Sequence, residues 1–229
     1  MYEIKLDSPG SNALSTEFML WILDELKKAD NQPILLTGKK GVFSVGADLK
    51  EILTSSSDEI LNFVGVMERL FDTLMKYPAP TVVAVDGHAT GGGGLLFLCC
   101  DFAYCTDRDD ISIGFPEVSA GVLISPTFIR QFKQLISLPI LRKLLLSAEL
   151  ITAKQALQYG LFDGIGDNVT AMAISRLESL AILPREPYVA TKIDLFSDKI
   201  CQKSFEERIH QAVSTGVLKG HLSNKFDNR

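Results

Sequence analysis

The apolar residues of this chain follow two different periods, and each period predicts one kind of element. Alternating or unbroken apolar character predicts strands at residues 2–6, 33–38, 81–87, 102–106 and 111–114. Apolar residues spaced by three and four predict helices at residues 16–29 and 58–76. Ser15 is a potential N-cap of the first helix. Short strands that alternate with helices are typical of an α/β fold.

Helical signals dominate the second half of the chain. From Pro126 onward, amphipathic segments predict successive helices, which include NVTAMAISRLESLAI and the charged segment FEERIHQAVSTGVLKGHL. The change in pattern near residue 167 is the one candidate domain boundary that the sequence offers. We therefore predict an α/β core over residues 1–167 and a C-terminal helical region over residues 168–229.

Composition narrows the possible classes of protein. The chain has 229 residues, 46% of them hydrophobic, which is enough to bury a substantial core in one domain with or without a helical appendage. Its formal net charge of −5 argues against a nucleic-acid partner, because no broad excess of Lys and Arg is available to neutralise phosphates. An anionic ligand would therefore have to meet local positive charge.

The cysteines and the N-terminal segment favour a soluble protein of the cytoplasm. Cys99, Cys100, Cys105 and Cys201 lack the spacing of metal ligands, and a reduced thiol in an apolar segment behaves as a small hydrophobic group. The N-terminal segment does not resemble a secretory signal, and Asp86 interrupts the most apolar run well short of a membrane span. We therefore expect no membrane partner and a cytoplasmic location.

Four consecutive glycines, Gly91–Gly94, follow a predicted strand and open a predicted helix. Glycine lets a backbone approach a ligand closely, and the first turn of a helix presents N–H groups without intrahelical partners. The run can therefore bind a phosphate or an enolate oxygen, or it can be a tight turn with packing glycines. It lacks the lysine of a P-loop, which disfavours a nucleoside triphosphate. We expect His88 to fix this loop, and Glu117 offers one acid/base group downstream.

A second glycine-to-helix turn occurs in the segment FSVGADLKE, residues 43–51. Asp48 lies where a carboxylate suits the helix dipole, and Lys39, Lys40 and Lys50 are close in sequence. Alone, this segment would be interpreted as a capped helix with solvated lysines. Two such turns can each supply one N–H donor to a single carbonyl oxygen, which is the arrangement of an oxyanion hole.

Several motifs occur in an order that is typical of one family. FSVGADLKE, PTVVAVDGHATGGG, CDFAYCTD, IGFPEVSAG and ITAKQALQYGLFD together resemble the crotonase family, also called the enoyl-CoA hydratase/isomerase family, over about residues 10–167. The segment FEERIHQAVSTGVLKGHLSNKF is similar to the last helix of that family. The resemblance implies a spiral of ββα units with a C-terminal helical region that mediates assembly into a homotrimer or a dimer of trimers.

The resemblance also implies roles for single residues. The backbone N–H groups of Ala47 and Gly92 would form an oxyanion hole that polarises the thioester carbonyl of an acyl-CoA and stabilises its enolate. Coenzyme A would be part of the substrate, and no separate cofactor and no metal ion is implied. Lys39, Lys40 or Lys50 would be possible phosphate partners. The predicted substrate- and CoA-binding residues are Ala47, Asp48, Leu49, Lys50, Gly92 and Leu95.

The acid/base positions distinguish the activities within the family. By resemblance, hydratases have two glutamates, at the positions of Leu95 and Glu117 in this chain. Water addition needs both groups, so Leu95 argues against an efficient hydratase. The Δ3,Δ2-enoyl-CoA isomerases resemble this chain more closely, with one glutamate at the second position and an apolar residue at the first. Glu117 is therefore predicted to shuttle a proton between C2 and C4 from an apolar pocket that raises its pKa.

Alternative functions stay open at this point. The first is a decarboxylase or isomerase of a polyketide-type pathway that acts on carrier-protein thioesters. The second is an enoyl-CoA hydratase, and the third is a non-catalytic acyl-CoA-binding scaffold, which the presence of Glu117 disfavours. The leading hypothesis is an enoyl-CoA isomerase of fatty acid metabolism whose partner is an acyl-CoA or a carrier-protein thioester.

Overall fold

Parallel sheets organise the fold in the computed structural model, which describes residues 1–196 except for four side chains, those of Thr127, Arg130, Gln131 and Phe196. In chain order, the strands are β1 (Tyr2–Lys5), β2 (Ala13–Leu14), β3 (Ile34–Thr37), β4 (Gly41–Ser44), β5 (Gly46–Ala47), β6 (Thr81–Val85), β7 (Gly87–Thr90), β8 (Phe102–Thr106), β9 (Ile113–Gly114) and β10 (Gly164–Gly166). The helices are α1 (Pro9–Asn12), α2 (Thr16–Lys28), α3 (Leu49–Thr54), α4 (Ser57–Met75), α5 (Gly92–Leu98), α6 (Pro126–Leu135), α7 (Leu138–Leu141), α8 (Ala153–Gln158), α9 (Val169–Ala181) and α10 (Arg185–Phe196). A π-helical segment, Arg142–Leu146, follows α7.

The central sheet contains five parallel strands in the order β1-β3-β6-β8-β10. Alternate residues of β6 point to opposite faces, as the pleat of a strand requires. Val83 and Val85 belong to the larger core, which also contains the buried sides of α2 and α4. Val82 and Ala84 belong to a smaller cluster under α9. Because both faces of the sheet are covered, residues 82–85 of β6 are apolar without interruption rather than at every second position.

A smaller parallel sheet contains β4, β7 and β9 in that order. Its register pairs Gly41 with Gly87 and Thr90 with Gly114. The two short strands β2 and β5 form a separate parallel pair. The smaller sheet matters for function because the loops that follow its strands contain the residues that the sequence singles out.

The two long helices confirm the predictions from periodicity. Helix α2 begins after Ser15, whose hydroxyl accepts a hydrogen bond from the N–H of Phe18 at 3.1 Å. Helix α4 begins with a capping box, in which Ser56 and Glu59 satisfy each other's backbone donors. These caps satisfy N–H groups that would otherwise lack a partner in the first turn. The α/β fold class is confirmed as well.

The sequence did not predict strands β4, β7 and β10. The segment of β4 is interpreted from the sequence as a loop that leads into a helix, and the segment of β7 is short and begins with glycine. Each strand has four residues, so only pairing with a neighbouring strand reveals it as a strand. In β10, two of the three residues are glycine, which has low β-propensity.

Other predictions have mixed outcomes. Cys99, Cys100 and Cys105 are buried free thiols in the apolar core, as predicted, whereas Cys201 and the predicted helix at 205–222 lie outside the described residues. Helix α9 begins just after the predicted domain boundary near residue 167, and the boundary stays a prediction. Within residues 1–196, no helix has the length and apolar character needed to cross a membrane.

A buried ion pair fastens α10 to the start of strand β8 in the central sheet. The Nζ atom of Lys192 lies 2.9 Å from Oδ1 of Asp101, and both side chains are almost completely buried. Lys192 also donates hydrogen bonds to the carbonyl oxygen of Ala79 and the hydroxyl of Thr81, and the Tyr188 hydroxyl donates to Asp101 at 2.7 Å. This network surrounds both charges with polar partners, which offsets the cost of removing them from water.

We predict that Lys192→Met lowers the free energy of unfolding by about 3–5 kcal/mol, because the carboxylate of Asp101 would stay buried without its counter-ion. Denaturant titration measures this change. Lys154→Met is the matched control, since Lys154 forms an exposed pair with Asp109 at 3.2 Å, and an exposed pair contributes about 1 kcal/mol or less. Equal effects of the two substitutions would contradict the assignment of Lys192 as a structural clamp.

Candidate active site

The carboxyl ends of β4, β7 and β9 bring three separate segments of the chain together. The turn at Gly46 and Ala47 follows β4, the glycine run begins directly after β7, and Glu117 follows β9 by three residues. Because the three strands are parallel, the loops after them leave the sheet at the same edge. Ligands of α/β proteins commonly bind at this edge. The predicted site residues therefore lie in one region of the fold.

The two glycine turns are in direct contact. A Cβ atom placed on Gly46 would lie 2.6 Å from the backbone nitrogen of Gly92, and one placed on Gly92 would lie 3.5 Å from the nitrogen of Ala47. Gly46 also has a φ of +91°, which favours glycine. The structure thus brings the backbones of the two predicted donors, Ala47 and Gly92, close to each other, and this approach requires glycine at position 46.

Neither predicted donor uses its N–H group in regular secondary structure. Gly92 is the first residue of α5, so its N–H has no intrahelical acceptor. In the parallel pair of β2 and β5, the N–H of Asp48 donates to the carbonyl of Leu14 at 3.1 Å. Successive N–H groups of a strand point in opposite directions. The N–H of Ala47 therefore points away from β2.

Glu117 lies beside the glycine run and is held there by its backbone. Its carbonyl oxygen accepts hydrogen bonds from the N–H groups of Ala120 and Val122, which fix a turn after β9. The N–H of Gly91 donates to Gly114 at 2.9 Å, which ties the glycine run to β9. A Cβ atom on Gly91 would lie only 3.6 Å from Oε1 of Glu117. The carboxylate is consequently adjacent to the turn that contains Gly92.

The carboxylate of Glu117 is buried. The residue is 8% exposed, and neither carboxylate oxygen has a hydrogen-bond partner among the residues that the structure describes. Burial favours the neutral form of a carboxyl group and raises the pKa of Glu117 above the usual 4.5, while its own backbone N–H has a smaller, opposite effect. Most buried polar groups are paired, so an unpaired carboxylate in a cleft is a candidate for chemistry.

Apolar residues that follow the glycine run or precede Glu117 in the chain are buried. Leu95 lies on α5 one turn after Gly92, and it is buried, as are Leu96 and Phe115. Phe115 makes an edge-to-face contact with Phe132, with ring centroids 4.7 Å apart. Val118, by contrast, is about half exposed.

The predicted CoA-binding loop begins α3. Oδ1 of Asp48 accepts hydrogen bonds from the N–H groups of Lys50 and Glu51, so its carboxylate caps the helix. Leu49 and Lys50 are exposed, which leaves them accessible to a ligand. Lys39 instead pairs with Asp7 at 2.9 Å. The structure therefore supports Lys50 over Lys39 as an available cation near this loop.

His88, just before the glycine run, and Gly91, its first residue, have structural roles. His88 accepts a hydrogen bond at Nδ1 from the N–H of Ser112, so it fixes the segment before β9, and its predicted role in the glycine run stays a prediction. Gly91 has a φ of +55°, and the sequence did not distinguish it from the three glycines that follow.

Among the described residues, no group of three or more His, Cys, Asp or Glu side chains could hold a metal ion.

Comparisons with known proteins find related sequences. An enoyl-CoA isomerase/hydratase of Mycosarcoma maydis is 28% identical over 200 residues, which cover 82% of this chain and 73% of the fungal protein. A mitochondrial protein of Bos taurus, enoyl-CoA hydratase domain-containing protein 2, is 31% identical over 195 residues, 81% of this chain and 65% of the bovine protein. The chain thus spans about two thirds of that relative's length.

Similarity to a solved structure supports the fold. The human mitochondrial Δ3-Δ2-enoyl-CoA isomerase superposes with a TM-score of 0.81 at 24% identity, over 95% of this chain and 84% of the human one. Its likeness concerns the fold alone at that identity. A family model described as enoyl-CoA hydratase/isomerase matches residues 1–213, which is most of the chain. The protein therefore belongs to the enoyl-CoA hydratase/isomerase family, the crotonase family, as its motifs predicted.

Proposed function

We propose that the protein converts 3-enoyl-CoA thioesters into 2-enoyl-CoA thioesters, with Glu117 as the acid/base group. The observation that carries this proposal is a buried, unpaired carboxylate next to two glycine turns that are in contact. Family membership supports an acyl-CoA substrate. Exposed Leu49 and Lys50 would border the CoA portion, and Leu95 would border the acyl portion.

The oxyanion hole would consist of backbone donors. When a base removes the C2 proton of a thioester, an electron pair moves onto the carbonyl oxygen as the enolate forms. The N–H groups of Ala47 and Gly92 would donate to that oxygen, and each such donor typically contributes about 10²–10³ in rate. Because these donors belong to fixed backbone turns, little reorganisation is needed during the reaction.

Glu117 would transfer one proton between two carbons of the substrate. As a carboxylate it takes the proton from C2, and the C3=C4 double bond becomes part of a dienolate. As a carboxylic acid it returns the proton to C4, which leaves a C2=C3 double bond and regenerates the carboxylate. A raised pKa suits this task because it makes the group a stronger base. The lack of a fixed partner leaves its oxygens free to serve both carbons.

Leu95 supports isomerisation over hydration. A hydratase must activate a water molecule in addition to handling the proton at C2, and this requires a second polar group. Leu95 is 5% exposed and belongs to the apolar core. An apolar side chain there provides no group that could orient water, so a dienolate would be reprotonated by Glu117 rather than hydrated.

The first test is Glu117→Gln, which keeps the shape of the side chain and removes the base. We expect the turnover number for isomerisation of 3-hexenoyl-CoA to fall at least about 100-fold, since general base catalysis contributes about 10²–10⁴. A coupled assay of 2-enoyl-CoA formation measures this rate. Glu178→Gln, at an exposed position of α9, is the control and should keep the wild-type rate. Unchanged turnover in Glu117→Gln would rule out Glu117 as the base.

The second test is Leu95→Glu, which supplies the carboxyl group that family hydratases have at this position. We expect the variant to add water to 2-hexenoyl-CoA at a rate above that of the wild type, because two carboxyl groups can then share the proton transfers. Leu95→Gln has the same shape without a base and should not hydrate the thioester. Detection of 3-hydroxyacyl-CoA measures the activity, and equal hydration by the two variants would contradict the assigned role of Leu95.

The third test concerns the pH dependence of stability. Since burial raises the pKa of Glu117, the folded state binds this proton more tightly than the unfolded state, and stability decreases as pH rises through the window above 4.5. Glu117→Gln removes this contribution. The free energy of unfolding of the variant minus that of the wild type should therefore increase as the pH rises above 4.5. A pH-independent difference in denaturant titrations would show that Glu117 titrates normally.

A further inference from the structure

The hydroxyl group of Ser44 lies next to the turn that contains one predicted oxyanion donor. Ser44 is the last residue of β4 and is completely buried. Its Oγ donates a hydrogen bond to the carbonyl oxygen of Asn12 at 2.7 Å and accepts one from the N–H of Gly46 at 3.2 Å. Gly46 immediately precedes Ala47, so the hydroxyl fixes the peptide next to the donor.

Ser44 also contacts the turn that contains the other donor. A Cβ atom on Gly93 would lie 2.3 Å from the carbonyl oxygen of Ser44 and 2.7 Å from its Cβ. Gly93 follows Gly92 directly in α5. One side chain and its backbone therefore touch the neighbours of both predicted donors, which come from loops that are far apart in sequence.

The acceptor of the Ser44 hydroxyl is itself rigid. Asn12 is completely buried, and its backbone has a φ of +52°, which asparagine tolerates better than most residues. Its Nδ2 donates to the carbonyl oxygens of Leu6 and Phe43, and its Oδ1 accepts from the N–H of Ser8 at 2.8 Å. These hydrogen bonds hold the side-chain amide of Asn12 in place, so Asn12 would not move together with a displaced Ser44.

We infer that Ser44 is a positioning residue of the oxyanion hole. Its hydroxyl, held by Asn12, keeps Gly46 in the orientation that points the N–H of Ala47 at the same thioester oxygen as the N–H of Gly92. This inference rests on the proposed function, because it assigns the two N–H groups to a thioester carbonyl. Oxyanion donors act only when their positions are fixed before the reaction, and a displacement of about 1 Å can cost about 100-fold in rate.

The test measures the polarisation of a bound carbonyl directly. Butyryl-CoA labelled with ¹³C at the thioester carbonyl serves as the probe, and difference infrared spectroscopy gives the position of its carbonyl band on each protein. Two aligned donors move the band to lower wavenumber. The variants are Ser44→Ala, which removes both hydrogen bonds, and Ser44→Cys, which refills the space with a weaker donor and acceptor. Kinetics with 3-hexenoyl-CoA and thermal unfolding accompany the spectra.

Thr81→Val is the matched control. Thr81 is completely buried, and its hydroxyl accepts hydrogen bonds from the N–H of Asp101 and from Lys192. It is the first residue of β6, in a different sheet from β4, β7 and β9, and these hydrogen-bond partners lie outside the loops of the site. Thr81→Val should lower the melting temperature but leave the carbonyl band and the turnover number unchanged.

For Ser44→Ala we expect a carbonyl band shifted back toward the free probe and a turnover number lowered by about 10- to 100-fold, with nearly unchanged KM. The carbonyl band and the turnover number of Ser44→Cys should lie between those of Ser44→Ala and wild type. If Ser44→Ala does not fold, Ser44→Cys alone tests the inference. A wild-type band in both Ser44 variants overturns the inference. So does an equal band shift in Thr81→Val, since that would indicate a general loosening of the protein.

The outcomes separate this inference from the proposed function. A wild-type protein that shifts the carbonyl band but does not isomerise 3-enoyl-CoA contradicts the proposed isomerase, and the role of Ser44 is still read from the spectra. A wild-type protein that binds butyryl-CoA without any band shift overturns both, because no oxyanion hole then exists for Ser44 to position.

Discussion

Parallel pairing of β4, β7 and β9 is the constraint on which the candidate site depends. The three strands end at one edge of their sheet, so the segments that follow them must meet there. One segment brings Ala47, the next brings Gly92, and the third brings Glu117. Each belongs to a different part of the sequence, and none could take part in common chemistry without this pairing.

Close backbone approach is the second requirement of the site. A Cβ atom on Gly46 would lie 2.6 Å from the nitrogen of Gly92, and one on Gly93 would lie 2.3 Å from the carbonyl oxygen of Ser44, so neither position has room for a side chain. A single larger residue would separate the two turns and with them their N–H groups. The glycine run is thus explained by packing between two loops, in addition to the left-handed conformation of Gly91.

Two carboxylates in the described part of the chain are buried in opposite environments. Asp101 is surrounded by Lys192, Tyr188 and Thr81, which stabilise its charge and fasten α10 to the sheet. Glu117 is also buried, yet its carboxylate oxygens have no hydrogen-bond partner among the described residues, and burial raises its pKa. A charge that serves the fold is compensated within the protein, whereas one that is left uncompensated is available to a substrate.

The sequence alone determined the α/β class, the two long capped helices and the family, because periodicity, capping residues and ordered motifs are local properties. It also singled out Glu117 and the contrast with Leu95. It could not reveal β4 and β7, since strands of four residues that begin with glycine are recognisable only through their pairing. Tertiary structure alone decided the contact between Gly46 and Gly92 and the position of Ser44 between the two loops. Distances between segments that are far apart in sequence depend on the packing of the whole fold, which no local pattern encodes.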